Sequence, residues 1–196
     1  IGALPLKTSN ATPPLLTVDK LSLTFGGVQA IADLSLEVRP GEVLAVIGPN
    51  GAGKTSLLNA VTRVFDPSGG QIHFKGQDLT QLQRHQIATL GIARTFQNIE
   101  LFEAATVLDN LLLGRHRFFQ GHWWQQVLRT PALTRLEEAA HAEVEKIIDF
   151  LDLTPWRHAP IAGLPYGVRK VVELGRALCA QPELLFLDEP ASGLNP

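Results

Sequence analysis

The sequence predicts an α/β fold in which a core of buried strands carries an antiparallel β subdomain at its N-terminal end and an inserted α-helical subdomain. Three observations predict it. Strand-period alternation fills the early part of the chain, a continuous apolar run then leads into a glycine-rich loop and a helix, and a stretch of helical periodicity separates that loop from a second short apolar run. The expected division is 1–14 as a tail or linker, 15–97 with 164–196 as the core and its antiparallel subdomain, and 98–163 as the helical insertion.

The elements follow in order. Pro5, Pro13 and Pro14 mark the opening as a tail. Leu16, Val18, Leu21, Leu23 and Phe25 alternate as a strand, Gly26-Gly27 makes the turn, Val28 to Ile31 returns, and Leu34 to Val38 forms a further strand. The run Val43 to Ile47 is apolar throughout, as in a strand buried on both faces, and Ser56 to Arg63 has helix-forming composition. A hairpin is expected over Gln71 to Phe74 and Asp78, with Lys75-Gly76 as its turn. Gln81 to Leu90 is a helix stopped by Gly91, and Ile92 to Phe96 is a strand. Thr106 to Gly114 is a helix. Thr134 and Glu137 form a capping box for another, whose stripe is Leu136, Ala140, Val144, Ile147, Ile148 and Leu151. Val168 to Ala180 is the last helix, followed by the strand Leu184 to Leu187.

Composition narrows the function. Among 196 residues, 17 Lys and Arg against 19 Asp and Glu give a net charge of −2, which excludes a basic nucleic-acid-coating protein and an acidic disordered tail. The single cysteine, Cys179, forbids an intrachain disulfide and reads as a small buried apolar residue. No apolar run approaches the ~18 residues of a membrane span, so a membrane role is peripheral. The six histidines show no metal-ligand spacing. Phe118, Phe119, Trp123 and Trp124 are read as core in preference to a docking surface.

Chemistry concentrates at two points. Gly48-Pro49-Asn50-Gly51-Ala52-Gly53-Lys54-Thr55 matches G-x-x-x-x-G-K-[ST], and Ser56 follows it, between an apolar strand and a helix. Backbone N–H groups freed of Cβ obstruction curl around a phosphate, and the helix directs its positive end at the same anion. Lys54 reaches the β- and γ-phosphates, and the Thr55 hydroxyl is a ligand for Mg²⁺. The core is therefore of the P-loop NTPase type. The second point is the end of Leu184 to Leu187, which delivers Asp188 to hold Mg²⁺ and Glu189 to orient or deprotonate water. A polar cap on the sheet is the alternative for this pair.

With Arg94-Thr95-Phe96-Gln97, Leu101-Phe102, Thr106-Val107 and Asp109-Asn110 added, the chain resembles the ATP-binding subunit of ABC transporters, in the branch that takes up branched-chain amino acids. The resemblance covers nearly everything after Leu15. It implies that Phe25 stacks on adenine, although a hairpin core residue is its other reading. It implies that Gln97 senses Mg²⁺ and water and links to a membrane subunit, a surface glutamine being the alternative. Leu164-Pro165-Tyr166-Gly167-Val168 stands where the family has L-S-G-G-Q, so Gly167 closes the partner copy's ATP site. Here Pro165 replaces a serine hydroxyl and Val168 replaces a glutamine; a helix N-terminus without a ligand is the other reading of Gly167.

The resemblance implies ATP and Mg²⁺ as cofactors and a second ATP-binding subunit in a head-to-tail dimer. Its further partners are a transmembrane permease and, indirectly, a solute-binding protein, with no nucleic acid. The expected location is the cytoplasmic face of the inner membrane, held peripherally. Lipopolysaccharide export, urea-type import and a soluble non-transport ABC ATPase are the alternatives within the family. A GTPase is disfavoured because no N-K-x-D element for guanine is present, and a P-loop kinase because nothing in Gly163 to Ala180 suggests an acceptor site. The absence of Met and the stop at Pro196, ahead of the family's switch histidine, lead to the expectation of a C-terminally truncated segment that turns over ATP poorly.

Overall fold

The computed structural model describes residues 2–5, 13–95, 100–115 and 131–188. They fall in two compact units, Ile1–Leu90 and Gly91–Pro196.

The first unit is built on a four-stranded antiparallel sheet in the order β3-β2-β5-β6, from β2 (Leu16–Phe25), β3 (Val28–Val38), β5 (Gly69–Phe74) and β6 (Gln77–Asp78). Leu16, Val18, Leu21 and Leu23 are buried along one side of β2 and meet Ile72 and Phe74 of β5 in the core. Gly26 and Gly27 take φ of 50° and 88°, the paired left-handed geometry that a two-residue hairpin turn requires. The two strands expected after this turn are one continuous strand, β3. Asp33 sits at φ 45° and Lys20 opposite at 48°, where the β2–β3 register shifts, and Ser22 and Asp33 hydrogen-bond across the irregularity.

Three expectations change in these units. Gly2–Pro5, within the expected tail, forms β1, antiparallel to β4 (Leu44–Ile47). An apolar strand with an unpaired edge offers a row of backbone groups, and this segment takes it. β4 is not buried on both faces: Ile47 is exposed, as is the neighbouring Val43, because among the described residues β4 is paired with β1 alone. The third change is in the helical part. The helix around Thr134 starts earlier, at Pro131, so Thr134 lies inside it and is not its cap. Proline at a helix start supplies the fixed φ and sacrifices no intrahelical donor.

Among the described residues the second unit holds the parallel pair β7 (Ile92–Arg94) and β8 (Leu184–Phe186) and the helices α3 (Val107–Gly114), α4 (Pro131–Phe150) and α5 (Tyr166–Cys179). Two short helices belong to the first unit, α1 (Lys54–Val61) and α2 (Arg84–Thr89). Gly91, at φ 92°, follows α2 as the sequence predicts. Val107, Leu111, Val144, Ile148 and Val172 form the centre of the helical core, joined by Leu153 and Cys179. Ala140, Val144 and Ile148 of the predicted stripe are buried, whereas Leu136 is exposed. Burial pushes the Cys179 thiol up to about 12, so it stays protonated and packs as an apolar group.

α3 begins with a reciprocal cap. The Thr106 hydroxyl accepts from the Asp109 N–H at 3.1 Å and donates to Asp109 Oδ2 at 2.6 Å, which holds the Asp109 carboxyl below the usual carboxylate range. The other end of α3 crosses α5 at Gly114. A Cβ there would lie 2.3 Å from the Arg176 carbonyl oxygen and 3.0 Å from Cys179 Cβ, so only glycine allows the helices this close. Gly114→Ala is expected to destabilise the fold by about 1–3 kcal/mol, because backbone and not a flexible side chain must give way. A chemical-denaturation midpoint equal to that of the wild type would show that the crossing tolerates the extra methyl.

Candidate functional site

The loop after β4 is shaped by its own backbone. Ala52 N–H donates to Pro49 O at 3.1 Å, closing a turn, and Gly51 and Gly53 take φ of 82° and 83°. A side chain at either position would be strained. At Gly48 the limit is space: a Cβ would meet Ala52 Cβ at 3.0 Å. The chain then enters α1 with Gly53 as N-cap, no side chain capping the helix and no acidic residue in its first turn. Three N–H groups, of Lys54, Thr55 and Ser56, thus open the helix with no intrahelical acceptor. Oriented donors, a positive helix end and no local carboxylate together suit an anion.

Lys54 completes the loop. Its Nζ donates to Gly48 O at 2.6 Å and Pro49 O at 2.9 Å, so the side chain folds back over the loop and holds its charge there. Leu57, Ala60 and Val61 bury the opposite side of α1 and anchor it. Pro49, Asn50, Gly51 and Thr55 are exposed. Gly48 to Ser56 thus form one continuous turn and helix start, with the Lys54 side chain folded over the turn. In the same unit, Phe25 sits at the β2–β3 turn and is 40% exposed, which disagrees with a hairpin core residue. It meets Phe65 edge to face at 4.8 Å, and the pair offers an open aromatic surface.

Of the other candidates, Asp188 lies in the second unit just beyond the carboxyl end of β8, beside the end of β7. Arg94 stands opposite Phe186 in the parallel register, and the Thr95 N–H donates to Phe186 O at 3.0 Å. Asp188, two residues on, is 6% exposed, and its Oδ2 accepts from Arg94 at 2.9 Å. Its own N–H donates to Thr95 Oγ1 at 3.4 Å. Arg94 and Thr95 were not among the predicted site residues. The signal existed in the sequence, since two short apolar runs ending in Arg and Asp become neighbours if their strands pair in parallel. Gln97 and Glu189 lie outside the described residues, as do Phe118, Phe119, Trp123 and Trp124.

Gly167 is the second residue of α5, after the N-cap Pro165, with no side-chain cap and no acid in the first turn. Leu164 is buried and pins the preceding segment, while Arg169 donates to Leu164 O at 2.9 Å and Ala162 O at 2.7 Å. The same arginine pairs with Glu103 at 3.5 Å. Asn110, fully buried, accepts from Phe102 N–H at 2.9 Å and donates to Phe102 O and Thr106 O. Residues 100–106 and the start of α5 are thereby tied into one hydrogen-bonded frame, further supported by Ala162 N–H on Glu103 O and Ile161 N–H on Ala105 O. Sequence reading singled out neither Arg169 nor the bonding of Asn110.

Among the described residues no three His, Cys, Asp or Glu side chains cluster as a ready-made metal cage. One buried carboxylate and one exposed hydroxyl are hard oxygen donors of the kind Mg²⁺ uses when nucleotide phosphates supply the rest. Asp188 is such a carboxylate within the second unit, and Thr55 is such a hydroxyl within the first. No helix among the described residues is long and apolar enough to cross a membrane.

Comparison with known proteins agrees with this geometry. The ABC transporter family pattern matches residues 31–192. The high-affinity branched-chain amino acid transport ATP-binding protein LivG of Escherichia coli is 39% identical over 183 residues, 93% of this chain and 72% of LivG. BraF of Pseudomonas aeruginosa, which carries the same description, is 38% identical with the same coverage. The crystal structure of an ATP-binding cassette of an ABC transporter in its ADP conformation superposes with a TM-score of 0.77 at 31% identity, over 94% of this chain and 72% of that one. A nucleotide-free cassette gives 0.76 at 30% identity, with the same coverage. A family pattern, a sequence and a fold shared over most of the chain make this protein a member of the ABC transporter family, as an ATP-binding, transport-coupled ATPase subunit.

Proposed function

We propose that this ATPase drives the import of branched-chain or similar hydrophobic amino acids through a membrane permease, with Mg²⁺ and ATP bound at the Gly48 to Ser56 loop. The observation that carries the solute class is the 39% identity over 183 residues to a relative described as transporting branched-chain amino acids. The free first-turn donors of α1 and the folded-back Lys54 support the phosphate assignment.

In this reading Lys54 leaves the two loop carbonyls for the β- and γ-phosphates, exchanging neutral acceptors for charged ones. The N–H groups of the loop hold the β-phosphate, and Phe25, supported by Phe65, stacks on the adenine. Thr55 and Asp188 are the protein's ligands for the metal or its water, and Gln97 contacts the same ion. Bound Mg²⁺ supplies charge neutralisation on the phosphate oxygens. Glu189 orients and deprotonates the attacking water. A second copy, docked head to tail, contributes Gly167 at the open N-terminus of α5, so that ATP bridges the copies through its γ-phosphate and hydrolysis releases them. The bonded frame of residues 100–106 and the start of α5 supports this, since it links the segment after Gln97 to the segment that carries Gly167. The subunit sits peripherally at the cytoplasmic face of the inner membrane against the permease, and a solute-binding protein delivers the amino acid.

Cells whose gene for this chain is deleted should lose most energy-dependent uptake of leucine, isoleucine and valine, restored by the intact gene. Unchanged uptake of all three, with loss of another solute, would overturn the solute assignment while leaving the ATPase reading in place.

A further inference from the structure

We propose that Arg94 is a positioning residue for Asp188, holding one carboxylate oxygen so that the other is kept for a metal ion or its water. The inference rests on the assignment of Asp188 to Mg²⁺ above.

The geometry is specific. Arg94 Nη2 lies 2.9 Å from Asp188 Oδ2, and both side chains are more than nine-tenths buried. The next residue of the same segment, Thr95, takes the Asp188 N–H on its hydroxyl and gives its own N–H to Phe186. Consecutive residues at the end of β7 thus fix both the backbone and the carboxylate of Asp188. Among the described residues Oδ1 accepts no hydrogen bond, so the pair is held through one oxygen only.

Arginine suits this role. A buried carboxylate needs a compensating charge, which the guanidinium supplies. Its planar donors also fix direction, which a flexible ammonium does not. A carboxylate free to rotate would ligate in several orientations and lose the advantage of a preset one. One effect opposes this: the guanidinium repels a divalent cation. Holding the ligand in place is proposed to outweigh that repulsion, since Asp188 Oδ2 at 2.9 Å offsets part of the guanidinium charge.

The test is a titration of the full chain with MgCl₂, against an EDTA reference, following the affinity of a fluorescent ATP analogue. Arg94→Gln is expected to raise the Mg²⁺ concentration for half-maximal tightening about 10-fold to 100-fold, with affinity in EDTA unchanged. Arg94→Lys, which restores charge without the planar fork, should shift it only about 3-fold. A wild-type or lowered Mg²⁺ requirement in Arg94→Gln overturns the proposal. Should Arg94→Gln lack a cooperative melting transition, Arg94→Lys decides: a raised requirement supports positioning and an unshifted one overturns it. Asp188→Asn, titrated alongside, separates the two levels of failure. If it too behaves as wild type, the metal assignment of Asp188 falls and this inference with it; if only Arg94→Gln does, the positioning role alone falls.

Discussion

Lys54→Ala is expected to weaken ATP binding about 100-fold while leaving the melting temperature of the nucleotide-free protein within a few degrees of wild type. The reason lies in where Nζ sits. Its partners in the folded loop are two backbone carbonyls, Gly48 O at 2.6 Å and Pro49 O at 2.9 Å, neutral groups that water can satisfy once the lysine is gone. No buried charge is left behind. A polyphosphate, by contrast, loses the only full positive charge of the loop, and an ion pair at about 4 Å near a protein surface is worth up to ~4 kcal/mol before screening. Lys54→Arg is not a rescue, since a wide planar guanidinium does not fit where a compact ammonium meets two carbonyls across one turn. Isothermal titration with ATP checks both variants. Affinity retained by Lys54→Ala would mean that the backbone donors suffice and that the lysine is a loop brace.

Glu189→Gln, in the full protein, is expected to keep ATP affinity within about 2-fold and to slow hydrolysis at least 100-fold, the loss typical of a general base. Glutamine preserves the shape and a hydrogen bond to water but takes no proton. The copies bridged by ATP then have no route to release, so an ATP-bound dimer should accumulate and be visible by size-exclusion chromatography with light scattering. Hydrolysis at the wild-type rate would remove Glu189 from its assigned role. The two variants differ in the step they stop: Lys54→Ala fails to load, whereas Glu189→Gln loads and does not discharge.

Much of the first unit was legible because its signals are local. The alternation of β2, the Gly26-Gly27 turn and the Lys75-Gly76 turn each depend on residues a few positions apart, and the structure has φ of 54° and 79° at the latter pair. The glycines and lysine of Gly48 to Thr55 are equally local, since a turn, a left-handed N-cap and a helix start need only their own backbone. One reading erred where a distant partner decides, and another where two local signals compete. Val43 to Ile47 looks doubly buried by composition, yet burial is a property of what covers a strand, and Ile47 is exposed. The capping box at Thr134 had a competing start signal at Pro131, three residues earlier, and the helix took the earlier one.

The sequence by itself determined the family, the glycine-rich loop before α1 and the carboxylate at the end of β8, because each is written in contiguous residues whose chemistry and spacing leave few alternatives. The tertiary structure decided what holds that carboxylate. Arg94 and Asp188 are 94 positions apart, and only the parallel register of β7 against β8 sets them 2.9 Å from each other. It also decided why α3 ends in glycine, since the crossing with α5 leaves no volume for a methyl group at Gly114. Both are consequences of strand pairing and helix packing, which depend on separations between elements and not on the local order of residues along the chain.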